Sequence, residues 1–381
     1  MTLEEIRKQI DQIDSQLLPL FIARMHCAEQ VAQIKAEQHL PVLNAGREEE
    51  ILESISEKAE GFGGEAKVLY STIMGISRAL QNKMLGSGGE IRNLVNQAPF
   101  ACKTTGKQIA CPGVPGAFSH EAAQELFPNC DMRFYTTFHD VFKAIENDEA
   151  DFGLVPVENS SAGSVSEVYD YILNYRFYIV GAATLHVHHC LAVAPGTRLE
   201  DIRSVYSHPQ ALAQCSDYIS SKGFQAQEYS NTASAAKMIA GKADRSIAAI
   251  CSVVAANEYG LQIISEDIQN SSTNCTRFIA ISRELFIPND AQKISLCFSL
   301  PHTTGSLYSV LARFAMSGLN LTKIESRPIA SKNIAGKNFE YDFYLDFTGN
   351  VRDPKTLDLL CALYSELPRF SFLGNYREQD E

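Results

Sequence analysis

The feature that most restricts this chain is its opening segment. From residue 3 to about residue 35, apolar side chains fall at Ile6, Ile10, Ile13, Leu17, Phe21, Ala28, Val31 and Ile34, the spacing of one stripe along a single long helix. A second helix is expected over 47–59, where Glu48 to Glu50 suit a helix N-terminus. Gly61-Phe62-Gly63-Gly64 breaks it before a third over 65–84. Three helices with so long a first member cannot cover their stripes alone, so an intertwined helical dimer is expected. Pro19 lies inside the first helix and removes one of its hydrogen bonds. The helix should continue past a kink there.

Leu85-Gly86-Ser87-Gly88-Gly89 opens what reads as a linker over 86–106, leaving 1–85 as an all-helical domain. Beyond it the pattern changes to short β-rich runs at 108–111, 152–157, 204–207 and 247–250. Helical stretches at 121–126, 138–146, 165–173, 211–221 and 234–240 separate them. That is an α/β domain over 107–283, expected in two lobes with a cleft between them. After Arg283 the order is strand 293–300, helix 305–316, strands 322–327 and 339–347, helix 354–367 and strand 370–376. This βαββαβ unit over 290–378 is ferredoxin-like. The fold class is therefore multidomain, α followed by α/β.

With 45% hydrophobic and 20% charged residues the chain can fill real cores, and its net charge of -12 argues against wholesale binding to nucleic acid or an anionic membrane. Anion sites must then gather their Lys and Arg locally. Ten cysteines without a C-x-x-C pair suggest reduced thiols in the cytoplasm rather than a disulfide framework or a zinc knuckle. Met1 to Glu5 lack the basic and apolar regions of a signal peptide. The longest near-apolar run, around 247–256, is far short of the ~20 residues of a membrane span. On a strand, His186 and His188 would share a face, beside His189, but no acidic or Cys partner sits at ligand spacing, so no metal is expected.

In the helical region, Arg24 and Lys35 lie about three turns apart on one face, Ser77 and Gln81 are i, i+4 neighbours, and Arg47 opens the second helix. Read alone, these are either surface charges or a site for a small polyanion inside a bundle. The segment 3–82 resembles the all-helical chorismate mutase family. The matching residues stand here as Arg7, Arg24, Lys35, Asn44, Arg47, Glu48, Ser77 and Gln81. The resemblance implies that Arg7 reaches into the partner's site and that Arg24 and Arg47 hold carboxylates. It also implies that Asn44 and Glu48 meet the ring hydroxyl, and that Lys35 and Gln81 contact the ether oxygen. Asn44 stands where the family also uses Asp, which leaves hydroxyl recognition possible. The rearrangement is pericyclic and needs no base. A compact conformer and donors at the ether oxygen suffice, and a millionfold acceleration asks for about 8 kcal/mol.

Four segments mark the α/β domain: Pro112-Gly113-Val114-Pro115-Gly116, Glu158-Asn159-Ser160-Ser161, Tyr206-Ser207-His208-Pro209-Gln210 with Gln214, and Thr276-Arg277-Phe278. Each alone is an ordinary turn or strand-end loop. In this order they resemble prephenate dehydratase over 108–282, a family whose catalytic domain has two lobes like those of periplasmic binding proteins. The resemblance points to Thr276 as catalytic, with Glu158, Asn159, Ser160, Ser207, Gln214 and Arg277 around the substrate. Expelling a ring hydroxyl with carbon dioxide needs a proton donor at the leaving oxygen, and a cleft of hydroxyls and amides suits it better than one crowded with Lys. Whether Glu158 is the acid depends on its environment.

The last unit resembles an ACT domain, a module that binds amino acids at subunit interfaces. Gly305-Ser306-Leu307 and Glu325-Ser326-Arg327-Pro328 match the effector motifs of its dehydratase-type members. The order of the three regions matches the bifunctional enzymes of phenylalanine biosynthesis. It implies chorismate and prephenate as substrates, no cofactor, phenylalanine as effector, and a homodimer, with a tetramer left open. An amino-acid sensor with relic sites and a dehydratase that prefers arogenate are the rival readings.

Overall fold

The computed structural model describes residues 1–242, 244–300, 305–329 and 341–380. Two compact units emerge, Met1–Gln97 with Ile294–Phe372 and Ala98–Lys293 with Leu373–Glu381. The first unit opens with α1 (Leu3–Gln38), started by a capping box between Thr2 and Glu5. It continues past Pro19 as one helix rather than two, which is the part of the expectation that its bounds decide. Asn44 caps α2 (Ala45–Lys58), its Oδ1 accepting from the Arg47 amide at 3.1 Å. α3 (Gly63–Met84) packs against both. The expected linker is not all linker. Residues Gly89–Gln97 form α4, which buries Ile91 and Val95 on one face. Three apolar residues in nine, Ile91, Leu94 and Val95, were too few to read as a helical stripe amid the glycines.

The second unit holds two sheets. Its chain runs β1 (Gln108–Pro112), α5 (Phe118–Leu126), β2 (Asp131–Tyr135), α6 (Phe138–Glu146), β3 (Phe152–Asn159), β4 (Gly163–Ser164), α7 (Ser166–Tyr175) and β5 (Tyr178–His186). It then enters a second lobe as β6 (Cys190–Val193), β7 (Ser204–Ser207), α8 (Pro209–Gln214), α9 (Ser216–Lys222), β8 (Gln225–Glu228), α10 (Thr232–Ala240), β9 (Ile247–Cys251), α11 (Val253–Glu258) and β10 (Gln262–Ser265). β11 (Cys275–Ser282) returns to the first sheet between β5 and β3. The second sheet has the order β10-β6-β9-β7-β8. Its central β9 is buried along its whole length, which is why 247–251 is a continuous apolar run. The single helix expected over 211–221 is divided at Cys215, whose backbone leaves helical geometry. Gly116 lies at φ +83°, and a Cβ there would stand 2.7 Å from the Ala255 backbone, so the turn after β1 can close against α11 only with glycine.

The βαββαβ pattern is present as β12 (Lys293–Leu300), α12 (Ser306–Met316), β13 (Leu321–Pro328), β14 (Tyr341–Thr348), α13 (Pro354–Glu366) and β15 (Ser371–Tyr376). The sheet order β13-β14-β12-β15 is that of a ferredoxin-like unit. Phe339, the expected start of its third strand, lies outside the described residues. α12 and α13 pack on α3, and α13 also on α4, so the helical and ferredoxin-like regions lie together in one compact unit. A short β16 (Glu378–Asp380), not expected, pairs parallel with β5 through Glu378 opposite Ala182.

Candidate active sites

In the helical region, α1, α2 and α3 enclose a cavity of about 330 Å³. Arg24, Lys35, Asn44, Arg47, Glu48, Ser77 and Gln81 line it, with Val31, Val42, Ile51 and Met74 as its apolar wall. The helical spacing that suggested one face for these residues is realised. Arg24 donates to the Ser77 hydroxyl at 2.8 Å, and Ser77 in turn to the Ile73 carbonyl at 2.9 Å. Lys35 donates to the carbonyl oxygen of Val42. Burial lowers the Lys35 pKa, with Glu48 opposing and Arg78 adding to the effect. Gln81 is buried, and its Oε1 has no hydrogen-bond partner among the described residues. Arg47 pairs with Glu50 at the surface, although its side chain borders the cavity. Arg7 is not among the lining residues; it is exposed, near the far end of α1. Among the described residues, one charged lining residue was missed. Arg78 follows Ser77 on α3 and bonds both Glu48 oxygens.

A larger cavity, of about 470 Å³, lies between the lobes of the second unit. β1, β3 and β11 bring Gly113, Pro156, Asn159, Thr276 and Phe278 to it from the first sheet. His208, Gln210, Gln214 and Thr232 come from the second lobe. Among the described residues, no Lys, Arg, Asp or Glu lines it. Its polarity comes from hydroxyls, amides, imidazoles and the N-terminal ends of α5, α6 and α10, whose first residues Phe118, Phe138 and Thr232 all border it. Such ends favour carboxylates without a full opposing charge.

One network runs along this wall. Asn159 donates through Nδ2 to Thr276 Oγ1 at 2.8 Å. Its Oδ1 accepts from the Ser161 hydroxyl at 2.7 Å and from Gln210 Nε2 at 3.0 Å. Gln214 donates to Ser161 at 2.9 Å and accepts from His189 Nε2 at 3.0 Å. Burial holds the His189 pKa below the usual histidine range, outweighing the Gln214 bond. The ring is therefore neutral at pH 7 with its proton on Nε2, and its Nδ1 is buried with no hydrogen-bond partner among the described residues.

Four of the expected dehydratase residues lie elsewhere. Ser207 is fully buried and donates to the Ile250 carbonyl at 2.6 Å, so it holds β7 to β9. Glu158 and Arg277 are paired across β3 and β11, one residue along from Asn159 and Thr276, and strand alternation turns them to the opposite face. The Arg277 guanidinium meets Glu378 and, at 2.9 Å, the Tyr376 hydroxyl. Ser160 faces the 273–275 loop, donating to the Thr273 carbonyl at 3.3 Å and accepting from the Cys275 amide at 3.0 Å. His189, Gln210 and Asn274 were not expected among the lining residues. His189 was legible only as part of a histidine cluster, because nothing in its spacing says that the ring is buried beside Gln214. His188 instead pairs with Asp267 at 2.6 Å.

In the ferredoxin-like region Gly305 caps α12 in the left-handed conformation, φ +85°. Ser306 and Leu307 begin the helix, half-buried. Glu325, Ser326 and Arg327 alternate along the edge strand β13, with Glu325 and Arg327 half-buried and Ser326 exposed.

No helix among the described residues is long and apolar enough to cross a membrane. Residues 109–285 match the family model for prephenate dehydratase and residues 6–82 that for chorismate mutase type II. The chain is 38% identical to "Arogenate dehydratase 2" of Petunia hybrida over 280 residues, covering 71% of each. It is 39% identical to "Arogenate dehydratase/prephenate dehydratase 1, chloroplastic" of Arabidopsis thaliana, again over 71% of each. Among solved structures, the prephenate dehydratase of Arthrobacter aurescens in complex with L-Phe superposes with a TM-score of 0.64 at 29% identity, over 71% of this chain and 89% of that one. The chain belongs to the prephenate dehydratase family and carries a type II chorismate mutase domain ahead of it, joining an isomerase and a lyase in one polypeptide.

Proposed function

We propose that chorismate is rearranged to prephenate in the helical cavity, and that the interlobe cavity converts prephenate to phenylpyruvate with Thr276 as proton donor. The observation that carries the second assignment is the Asn159–Thr276 bond. Thr276 Oγ1 accepts from an amide at 2.8 Å, so its own proton is left to donate into the cavity. As the ring hydroxyl and the carboxyl leave together, that proton goes to the departing oxygen, and a proton from solvent restores the Thr276 hydroxyl. The C–C bonding pair completes the aromatic ring, and the products are phenylpyruvate, carbon dioxide and water. Asn159, Gln214 and His189 orient the donor, and the helix ends hold the substrate carboxylates. Glu158 is not the acid on this reading, since it lies on the other face of the sheet. In the helical cavity Lys35 and Gln81 meet the ether oxygen, Arg24 and Arg47 the carboxylates, Asn44 and Glu48 the ring hydroxyl, with Ser77 steadying Arg24.

The lining favours prephenate over arogenate. Arogenate carries an ammonium where prephenate carries a ketone, and among the described residues no Asp or Glu lines the cavity to receive it. The working form is a homodimer. Ile6, Ile10, Ile13 and Leu17 are all at least 40% exposed in the single chain, an apolar stripe that a second α1 would cover while bringing Arg7 to the partner's cavity. Ten free thiols fit a reducing compartment, the cytoplasm. Phenylalanine acts through the ferredoxin-like region, an ACT module, with Gly305, Ser306, Leu307, Glu325, Ser326 and Arg327 as its effector residues.

The test is to supply chorismate alone and follow prephenate and phenylpyruvate, with and without phenylalanine. Phenylpyruvate formation curbed by phenylalanine is expected. Lys35→Ala should abolish the first step and spare the second, and Thr276→Ala the reverse. Loss of both activities in either folded variant would overturn the assignment of the two sites.

A further inference from the structure

The residues that line the mutase cavity all come from the helical region, but one of them is held from outside it. Arg78 borders it with a side chain only 14% exposed. Its Nη1 bonds both oxygens of Glu48, and its Nε bonds Glu366 at 3.0 Å. Glu366 ends α13 of the ferredoxin-like region, and its side chain is 7% exposed. It also accepts from Asn82 at 2.7 Å and from the buried Arg313 of α12 at 3.0 Å. A carboxylate held by three donors cannot swing away, and a guanidinium shared between two carboxylates is fixed in plane. Burial works against the Arg78 charge, but Glu366 and Glu48 outweigh it and hold its pKa above the ordinary arginine value.

We propose that Arg78 is a positioning residue of the mutase site and that Glu366, contributed by the ferredoxin-like region, sets it in place. The proposal rests on the helical cavity being the mutase site. Among the described residues, four cations, Arg24, Lys35, Arg47 and Arg78, border that cavity against one carboxylate, Glu48. Unheld, Glu48 would be drawn toward the Lys35 ammonium, which already feels its charge, and neutralise the donor that the breaking ether bond needs. Arg78 keeps Glu48 off Lys35. Unheld itself, Arg78 would compete for the substrate's carboxylates, and Glu366 prevents that. The mutase site is therefore complete only with α13 docked, and Arg313 links the same carboxylate to the helix that Gly305 caps.

The test is a double-mutant cycle in the full chain, with chorismate turnover as the readout and prephenate turnover as the check on folding. Arg78→Gln should lower mutase kcat about tenfold or more with a smaller change in KM, and Glu366→Gln about fivefold. Because Glu366 acts through Arg78, the double variant should be no worse than Arg78→Gln alone. Multiplying losses, or full mutase activity in either single variant, would overturn the proposal. Should Arg78→Gln fail to fold, Arg78→Lys replaces it: the charge stays against Glu366, but an ammonium cannot bridge two carboxylates in one plane, and the same loss is expected. Lys35→Ala is the control for the cavity itself. If it retains mutase activity the site assignment fails, whereas its loss together with an additive cycle removes only the role given to Arg78 and Glu366.

Discussion

Four donors converge on Oδ1 of Asn159: the amides of Ser161 and Ala162, the Ser161 hydroxyl and Gln210 Nε2. The amide cannot be flipped without setting an N–H against all four, so Nδ2 must face Thr276. This makes two substitutions informative. Thr276→Ala removes the donor and should lower dehydratase kcat by about 10²- to 10³-fold, while Thr276→Ser should stay within about tenfold of wild type. Asn159→Asp changes a single atom, yet should cost about as much as Thr276→Ala. The oxygen replacing Nδ2 would accept the threonine proton and turn it away from the cavity. Steady-state rates on prephenate measure both, and an Asn159→Asp enzyme of normal rate would exclude the amide as the orienting group. The residues of this network were legible in unequal degree. Asn159, Thr276 and Gln214 sit in recognisable segments, but Glu158 and Arg277 sit in the same segments and face away. The sequence carries the motif, and only the pairing of Asn159 with Thr276 decides which alternate side chains meet the cavity.

At the scale of elements, β16 gives Arg277 its role. Glu378 takes Arg277 on one side and Lys293 on the other, and the two cations outweigh burial to hold its carboxyl below the usual glutamate range. Its folded pKa is depressed, so the stabilisation is fully present above the unfolded value of about 4.3 and is lost as pH falls through the folded one. Glu378→Gln should therefore lower stability by about 2 kcal/mol at pH 7, and the gap to wild type should narrow below about pH 4. Thermal unfolding across pH reads this directly, and a gap independent of pH would remove the charge from the explanation. Elements with a strong period were legible: α1 through Pro19, the apolar β9, the βαββαβ order. α4 and β16 were not. Each is short, each has too few apolar residues for a period, and each exists because a surface elsewhere in the chain receives it: α13 packs on α4, and β5 pairs with β16.

For the whole molecule, the distribution of residues around the helical cavity has a consequence that single chains cannot display. Lys35 borders its own chain's cavity, and Arg7 does not. The exposed stripe Ile6, Ile10, Ile13 and Leu17 runs along the same helix as Arg7, so whatever covers the stripe determines where Arg7 goes. If a second α1 covers it, each mutase site takes Lys35 from one chain and Arg7 from the other. Arg7→Ala and Lys35→Ala homodimers should then both be inactive as mutases, since every site in either lacks one of the two cations. Co-expressed in equal amounts, the two variants give about half heterodimers, and each heterodimer has one site with both residues intact and one with neither. About a quarter of the wild-type mutase activity should return, while the dehydratase, whose cavity residues are untouched, stays at full rate throughout. No recovery on mixing would mean that Arg7 serves its own chain's cavity. Recovery without any loss in the Arg7→Ala homodimer would mean that it serves neither.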